Sequence, residues 1–285
     1  MKKIVKKLIF WGLIVLLVFA SIKLATPINP AKRDDGMEIL GHGTLFPTQN
    51  ILLLGLDSPQ RSDTIMLIHL DGDTKTISLL SIPRDTKTSD GRKINSSYGE
   101  NGKEEAVMRE VQKLTGLRIN YYITVKPNAF KKIIDYLGGV DYNVPMNMKY
   151  TSRDGKYRID LNKGQQHLTG DQAEQLVRFR KGYITQDIGR IGTQQDFIKE
   201  LLKQKLTAEN IFNIHKIITE CKKYIRTNYS YGKAIWTLYT YRKADFDKDI
   251  KSYTVPGEPS RRGVSYWEVD YSKLKDIMQE ITGGK

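Results

Sequence analysis

The feature that most constrains this chain is an apolar run from Leu8 to Ile22, preceded by Lys2, Lys3, Lys6 and Lys7 and followed by Lys23. The run is 15 residues long, against about 20 for a bare membrane-spanning helix. Leu24 and Ala25 extend it past Lys23, and the stems of Lys7 and Lys23 can snorkel to the two interfaces, with Trp11 near one of them. The lysines on the N-terminal side hold that end in the cytoplasm. The expected layout is therefore a cytoplasmic N-terminus over 1–7, a transmembrane anchor over 8–25, a linker over 26–46 and an external domain over 47–285: a single-pass type II membrane protein. A cleaved signal peptide is the competing reading, but Lys23 spoils the small-x-small site ending at Ala25. Either reading exports the rest of the chain.

Export sets the meaning of the remaining composition. A single cysteine, Cys221, allows no intrachain disulfide, which fits a bacterial cell envelope better than a eukaryotic secretory route. It lies in a helix-like stretch and reads as a small core hydrophobe. Lys plus Arg outnumber Asp plus Glu by 46 to 32, a formal charge of +14, which favours anionic partners. Nucleic acid is set aside, because the domain is exported and no helix-turn-helix or zinc spacing is present. His42, His69, His167 and His215 form no ligand set and read as structural.

Residues 26–46, with Pro27, Pro30 and paired charges, read as a tether. Ile51–Leu54 predicts a buried strand, and Thr64–Leu70 and Lys75–Ile82 two more around an Asp71-Gly72-Asp73 hairpin turn. Helices follow over 103–115 and from Pro127 to Gly138-Gly139, with a strand over Ile119–Val125 between them and another over Val140–Val144. Residues 147–164 are weakly periodic, hairpin or loop. Helices are predicted from Thr169 or Gly170 to Arg180, from Ile188 to Leu206, over 208–225 and over 231–243. Lys251–Val255 and Val264–Val269 are late strands, and Ser272–Ile281 a closing helix. Strands alternating with helices imply an α/β fold, an α-β-α sandwich with a central mixed β-sheet flanked by helices.

Three segments concentrate charge where strands end or helices begin. In the first, Asp57 ends an apolar strand and Asp63 precedes the next, so a short loop brings two carboxylates together, as Mg²⁺ requires; an Asx turn explains the same residues. The second is Ser81-Ile82-Pro83-Arg84-Asp85, followed by Lys93 and Asn95; Arg84 also reads as a solvated loop charge. In the third, Arg178 and Arg180 straddle a helix C-terminus, while Arg190 and Gln194 share a helical face at i, i+4. Guanidinium forks match phosphate oxygens two at a time, though cations near a helix C-terminus also satisfy the dipole.

These segments occur in a fixed order with others: Gly55-Leu56-Asp57 with Ser62-Asp63-Thr64, Ser81–Asp85, Ile134-Asp135-Tyr136-Leu137-Gly138-Gly139-Val140-Asp141, Leu168-Thr169-Gly170-Asp171-Gln172-Ala173, Val177–Arg180 and Asp187–Arg190. In this the chain from 50 to 206 closely resembles the catalytic domain of the LytR–CpsA–Psr family. The resemblance implies a cell-envelope enzyme, typically of Gram-positive bacteria. Such enzymes transfer an anionic glycopolymer, such as wall teichoic acid or capsule, from an undecaprenyl-pyrophosphate carrier to peptidoglycan. It further implies that Asp57 and Asp63 engage Mg²⁺ (Mn²⁺ as a substitute), with Asp57, Asp63 and Arg84 catalytic. Arg61, Arg84, Arg178, Arg180, Arg190 and Gln194 would then hold the pyrophosphate, with Lys93 and Asn95 in support and Asp187 close by. Two departures stand out: the stretch between Asp57 and Arg61 is short, and Thr193 replaces an arginine that relatives often carry. Hydrolysis of a lipid pyrophosphate, or a non-enzymatic regulatory or binding role, are the alternatives.

Overall fold

The computed structural model describes residues 47–58, 61–100, 103–183, 187–205, 219, 224–242, 244–245, 247–260 and 265–284. The expected cytoplasmic N-terminus, anchor and linker lie outside these residues, as do His42, His215, Cys221 and most of the helix expected over 208–225. Among the described residues, no helix is long and apolar enough to cross a membrane.

In chain order the elements are β1 (Gln49–Ser58), β2 (Arg61–Leu70), β3 (Ile77–Ile82), a 3₁₀ turn (Ile94–Gly99), α1 (Lys103–Thr115), β4 (Tyr121–Val125) and α2 (Pro127–Tyr136). Next come β5 (Val140–Val144), β6 (Met148–Thr151), β7 (Arg158–Leu161), β8 (Gly164–Leu168), α3 (Gly170–Arg178) and α4 (Asp187–Lys205). The chain continues through β9 (Ile225–Thr227), α5 (Tyr231–Tyr241), β10 (Ile250–Thr254), β11 (Gly257–Pro259), β12 (Trp267–Val269) and α6 (Tyr271–Thr282).

The central sheet runs β10-β3-β2-β1-β4-β9. It is mixed: β1–β2, β2–β3 and β4–β9 are antiparallel, β1–β4 and β10–β3 parallel. Alternation along the strands sorts the apolar side chains to two faces. Leu52, Leu54, Ile65, Leu67, Leu80 and Ile82 pack with Val107 and Val111 of α1 and Leu274 and Ile281 of α6. Ile51, Met66, Leu70, Ile77 and Leu79 pack with Tyr229, Tyr241 of α5, and Ile198 and Leu202 of α4. Both faces are covered, so the central strands are apolar throughout. This is the α-β-α layering that the sequence implies.

A third apolar cluster joins α2, α3 and the strands β5–β8 to Phe197 of α4. The segment 147–164, ambiguous in sequence, holds the β6–β7 hairpin, and β8 pairs with β5. Thr169 starts α3 with a full capping box, its hydroxyl accepting from the Gln172 amide while the Gln172 side chain accepts from the Thr169 amide. The expected helix over 208–225 ends differently: Ile225 begins β9, which pairs with β4 at the sheet edge. Edge pairing satisfies the backbone groups of β4, and local helical periodicity gives no sign of it.

Candidate functional site

The first carboxylate segment is a hairpin rather than a loop. β1 and β2 run into the turn, with Ser58 opposite Arg61, Leu56 opposite Ser62 and Gly55 opposite Thr64. The register slips twice, so Asp57 and Asp63 are each left without a strand partner. The expectation that Asp63 precedes its strand is thus corrected: it sits inside β2, on a bulge that breaks the alternation and re-aims its side chain. Gly55 permits the bulge, since a Cβ there would come within 2.9 Å of the Thr64 Cβ. The Asp57 and Asp187 side chains lie outside what the structure describes, and only their backbone places, at the end of β1 and the start of α4, are fixed.

Three arginines from three segments converge on Asp63. Arg84 Nη1 donates to Asp63 Oδ1 at 3.0 Å, and Arg180 Nη2 to Asp63 Oδ2 at 3.3 Å. Arg190 Nη2 donates to the Asp63 carbonyl at 3.2 Å, and Arg190 itself is 3% exposed. Burial pushes the Asp63 carboxyl up, but the guanidinium charges of Arg84, Arg180 and Arg190, with the Arg84 hydrogen bond, outweigh it and hold the pKa below the ordinary 3.8. Three cations around one ionised carboxylate leave a positive excess, facing a depression lined by Asp63, Thr64, Ser81, Arg84, Arg190 and Gln194.

Each arginine is held from behind. Arg84 follows Pro83 in a turn in which the Thr86 amide and hydroxyl both donate to the Pro83 carbonyl. The Asn95 amide donates to the Arg84 carbonyl at 3.1 Å, and Lys93 pairs with Asp85 at 2.8 Å. Lys93 and Asn95, expected at a pyrophosphate, therefore brace the Arg84 turn. Trp267 of β12 exchanges backbone bonds with Asp85 and Lys87, a support from the far end of the chain that no sequence signal marks. Gln194 donates through Nε2 to the Val177 carbonyl at 2.9 Å, so its amide fastens α3 to α4. Neighbouring Gln195 bonds the Ser81 hydroxyl at 2.9 Å and the Tyr253 carbonyl at 2.5 Å, tying α4 to the sheet beside Arg84.

Arg178 pairs with Glu174 at 2.9 Å and lies over the Tyr157 ring at 4.6 Å, on the α3 side. Arg61 is exposed at the tip of the β1–β2 hairpin. Thr193 is buried, its hydroxyl 2.5 Å from the Tyr183 hydroxyl, so this position packs the 180–183 turn against α4. Gly189 serves the same contact: a Cβ there would meet the Tyr183 ring at 2.4 Å. Gly189→Ala is therefore expected to displace Tyr183 and with it Arg180, weakening substrate binding while the sheet core stays folded. A raised KM with an unchanged far-ultraviolet circular dichroism spectrum would bear this out; an unchanged KM would refute it.

No group of three or more His, Cys, Asp or Glu among the described residues could cage a metal ion. Of the two aspartates expected at Mg²⁺, only the Asp63 side chain is described, and its two oxygens accept from Arg84 and Arg180.

The family model described as "LytR_cpsA_psr family" matches residues 29–282. The teichoic acid transferase TagV of Bacillus subtilis (strain 168), named a polyisoprenyl-teichoic acid–peptidoglycan transferase, is 29% identical over 98% of this chain and 78% of its own length. TagU of Bacillus mycoides (strain KBAB4), with the same activity in its name, is 29% identical over 97% of each chain. The crystal structure of B. subtilis TagV superposes with a TM-score of 0.72 at 28% identity, covering 84% of this chain and 98% of that one.

Proposed function

The chain belongs to the LytR–CpsA–Psr family, and on that premise we propose that it transfers an anionic glycopolymer from an undecaprenyl-pyrophosphate carrier to peptidoglycan. The observation that carries this reading is the convergence of Arg84, Arg180 and Arg190 on Asp63. Phosphoryl transfer spreads negative charge over many oxygens, and fixed guanidinium donors meet that charge without reorganising. Two relatives named as teichoic acid transferases support the polymer class. In the reaction, a peptidoglycan hydroxyl attacks the sugar-side phosphorus. One phosphodiester bond forms, the bridging P–O bond of the pyrophosphate breaks, undecaprenyl monophosphate leaves carrying the second phosphate, and the hydroxyl proton passes to solvent.

The residues divide the work by their chemistry. Arg84 and Arg180 can turn from Asp63 to the two phosphates. Arg190, buried and bonded to the backbone of β2, fixes the geometry between them. A carboxylate whose pKa is held low accepts a proton poorly at neutral pH, which makes Asp63 a better metal ligand than a base. Asp63, with Asp57 at the neighbouring bulge, would hold Mg²⁺ or Mn²⁺, which would neutralise charge on the phosphates. The apolar segment 8–25 would keep this domain at the outer membrane face, where the lipid carrier is met.

The test is a reconstituted assay with an undecaprenyl-pyrophosphate-linked disaccharide and peptidoglycan, following both sugar joined to peptidoglycan and sugar phosphate released. Joined product is expected. Release alone would make the protein a hydrolase, and neither product would leave a binding protein. Excess EDTA is expected to stop transfer and added Mg²⁺ to restore it; full activity in EDTA would remove the metal from the reading.

A further inference from the structure

The large exposed apolar side chains among the described residues are Tyr136, Tyr231, Trp236, Tyr239 and Tyr271. All are aromatic with a polar edge, none is aliphatic, and three lie on α5. Along α5 and its cap, Lys233, Trp236, Tyr239 and Arg242 recur every third residue. At 1.5 Å and about 100° per residue this ridge climbs about 14 Å and winds about half a turn, so Lys233 and Arg242 stand on opposite flanks of the two rings. The Trp236 and Tyr239 rings are 25° from parallel with centroids 6.3 Å apart, and the Arg242 guanidinium lies 3.5 Å from the Tyr239 ring centre. At the other end, Lys233 donates to the Tyr121 hydroxyl at 2.6 Å and covers that ring at 4.7 Å. The row is thus cation, ring, ring, cation, and α5 has no acidic residue. Of the acids that follow it, Asp245 pairs with Lys248, and Asp247 with Lys199 and Lys203.

The helix lies far from the arginine cluster. The Tyr241 hydroxyl donates to the Asp71 carbonyl just past β2, and the Tyr229 hydroxyl to Gln49 at the start of β1. Both contacts are at the sheet end opposite Asp63, since seven residue steps along β2 lead from Asp63 to Leu70, about 23 Å along a strand.

We propose that this row is a second saccharide site that binds a phosphate-bearing sugar polymer. The aromatic faces cover the apolar faces of sugar rings, and Lys233 and Arg242 at the two ends meet phosphates. The inference rests on the reading of the substrate as an anionic glycopolymer, and it does not depend on the chemistry at Asp63. A membrane-dipping face would add exposed Leu, Ile or Phe to its aromatics, and among the described residues none is exposed. A neutral glycan would need the rings without the flanking cations. Holding the polymer at one end of the sheet while its pyrophosphate lies at the other raises the effective concentration of the reacting end. This function suits long polymers and is silent on short ones.

The experiment uses the full chain in detergent micelles and lipid-free poly(glycerol phosphate) teichoic acid as probe, with affinity measured by titration calorimetry. Trp236→Ala combined with Tyr239→Ala is expected to weaken polymer binding about tenfold, the loss of two ring contacts. Turnover of the short lipid-linked disaccharide should stay at the wild-type value, and Trp236→Phe should keep most of the affinity. Unchanged polymer affinity in the double variant overturns the proposal. So does a loss confined to phosphatidylglycerol vesicles, to teichoic-acid-free peptidoglycan or to self-association measured by sedimentation. A wild-type chain that binds polymer through this row yet transfers nothing would sink the transferase reading and leave the second site standing.

Discussion

Arg84→Ala is expected to lower kcat/KM for polymer transfer by about 10²–10³-fold, the loss seen when one preorganised donor to a developing charge is removed. Arg84 is the right target because its guanidinium makes the shortest contact of the cluster, 3.0 Å to Asp63, on a turn braced by Thr86, Asn95 and the Lys93–Asp85 pair. It is also a quarter exposed, so truncation leaves no large cavity and the fold should survive. Arg84→Lys separates charge from geometry: an ammonium restores charge but not the two-pronged fork, so only partial recovery is expected. Rates on the lipid-linked disaccharide, taken with a thermal melt of each variant, measure both effects. Wild-type turnover in Arg84→Ala would remove the arginine cluster from the reaction.

Asp63→Asn is expected to be comparably damaging to transfer, for a different reason. The amide keeps the shape but removes the counter-charge to Arg84, Arg180 and Arg190 and weakens any hold on a divalent cation. Transfer should fall by about 10²-fold or more, with part of the loss recovered at high Mg²⁺ concentration. Stability should change too, with a defined pH signature. The folded pKa of Asp63 lies below 3.8, so its ionised form stabilises the fold fully above 3.8. That contribution is lost as pH falls through the lower folded value. The wild type should therefore melt higher than Asp63→Asn at neutral pH, and the gap should close only in strong acid. A gap that closed between pH 5 and 7 would show that Asp63 is not held by its arginines.

Much of this architecture is written in local patterns. The run Ile51–Leu54, the Asp71-Gly72-Asp73 turn, Pro127 at a helix start and Gly138-Gly139 at its end each gave an element in its expected place, because turn chemistry and side-chain alternation act over a few residues. The β9 strand was missed for the converse reason: three residues become a strand only by pairing with β4. The site divides the same way. The ordered motifs marked Asp63, Arg84, Arg180, Arg190 and Gln194, whereas the contacts that hold them, Gln194 to the Val177 carbonyl, Lys93 to Asp85 and the Asn95 backbone to the Arg84 carbonyl, are seen only in the fold.

The sequence by itself determined the alternation that builds a two-faced mixed sheet, and it marked the arginines and the aspartate that meet in the site. Only the tertiary structure decided that three guanidiniums would meet at one aspartate, two at its carboxylate and one at its backbone carbonyl. Arg180 and Arg190 reach Asp63 across 117 and 127 residues. A bulge in β2 aims the carboxylate, and the packing of α3, α4 and the Arg84 turn brings the cations to it. Periodicity and propensity act over a few residues and cannot specify such a meeting. The folded packing can, because it fixes side chains from distant segments within hydrogen-bonding distance of one another.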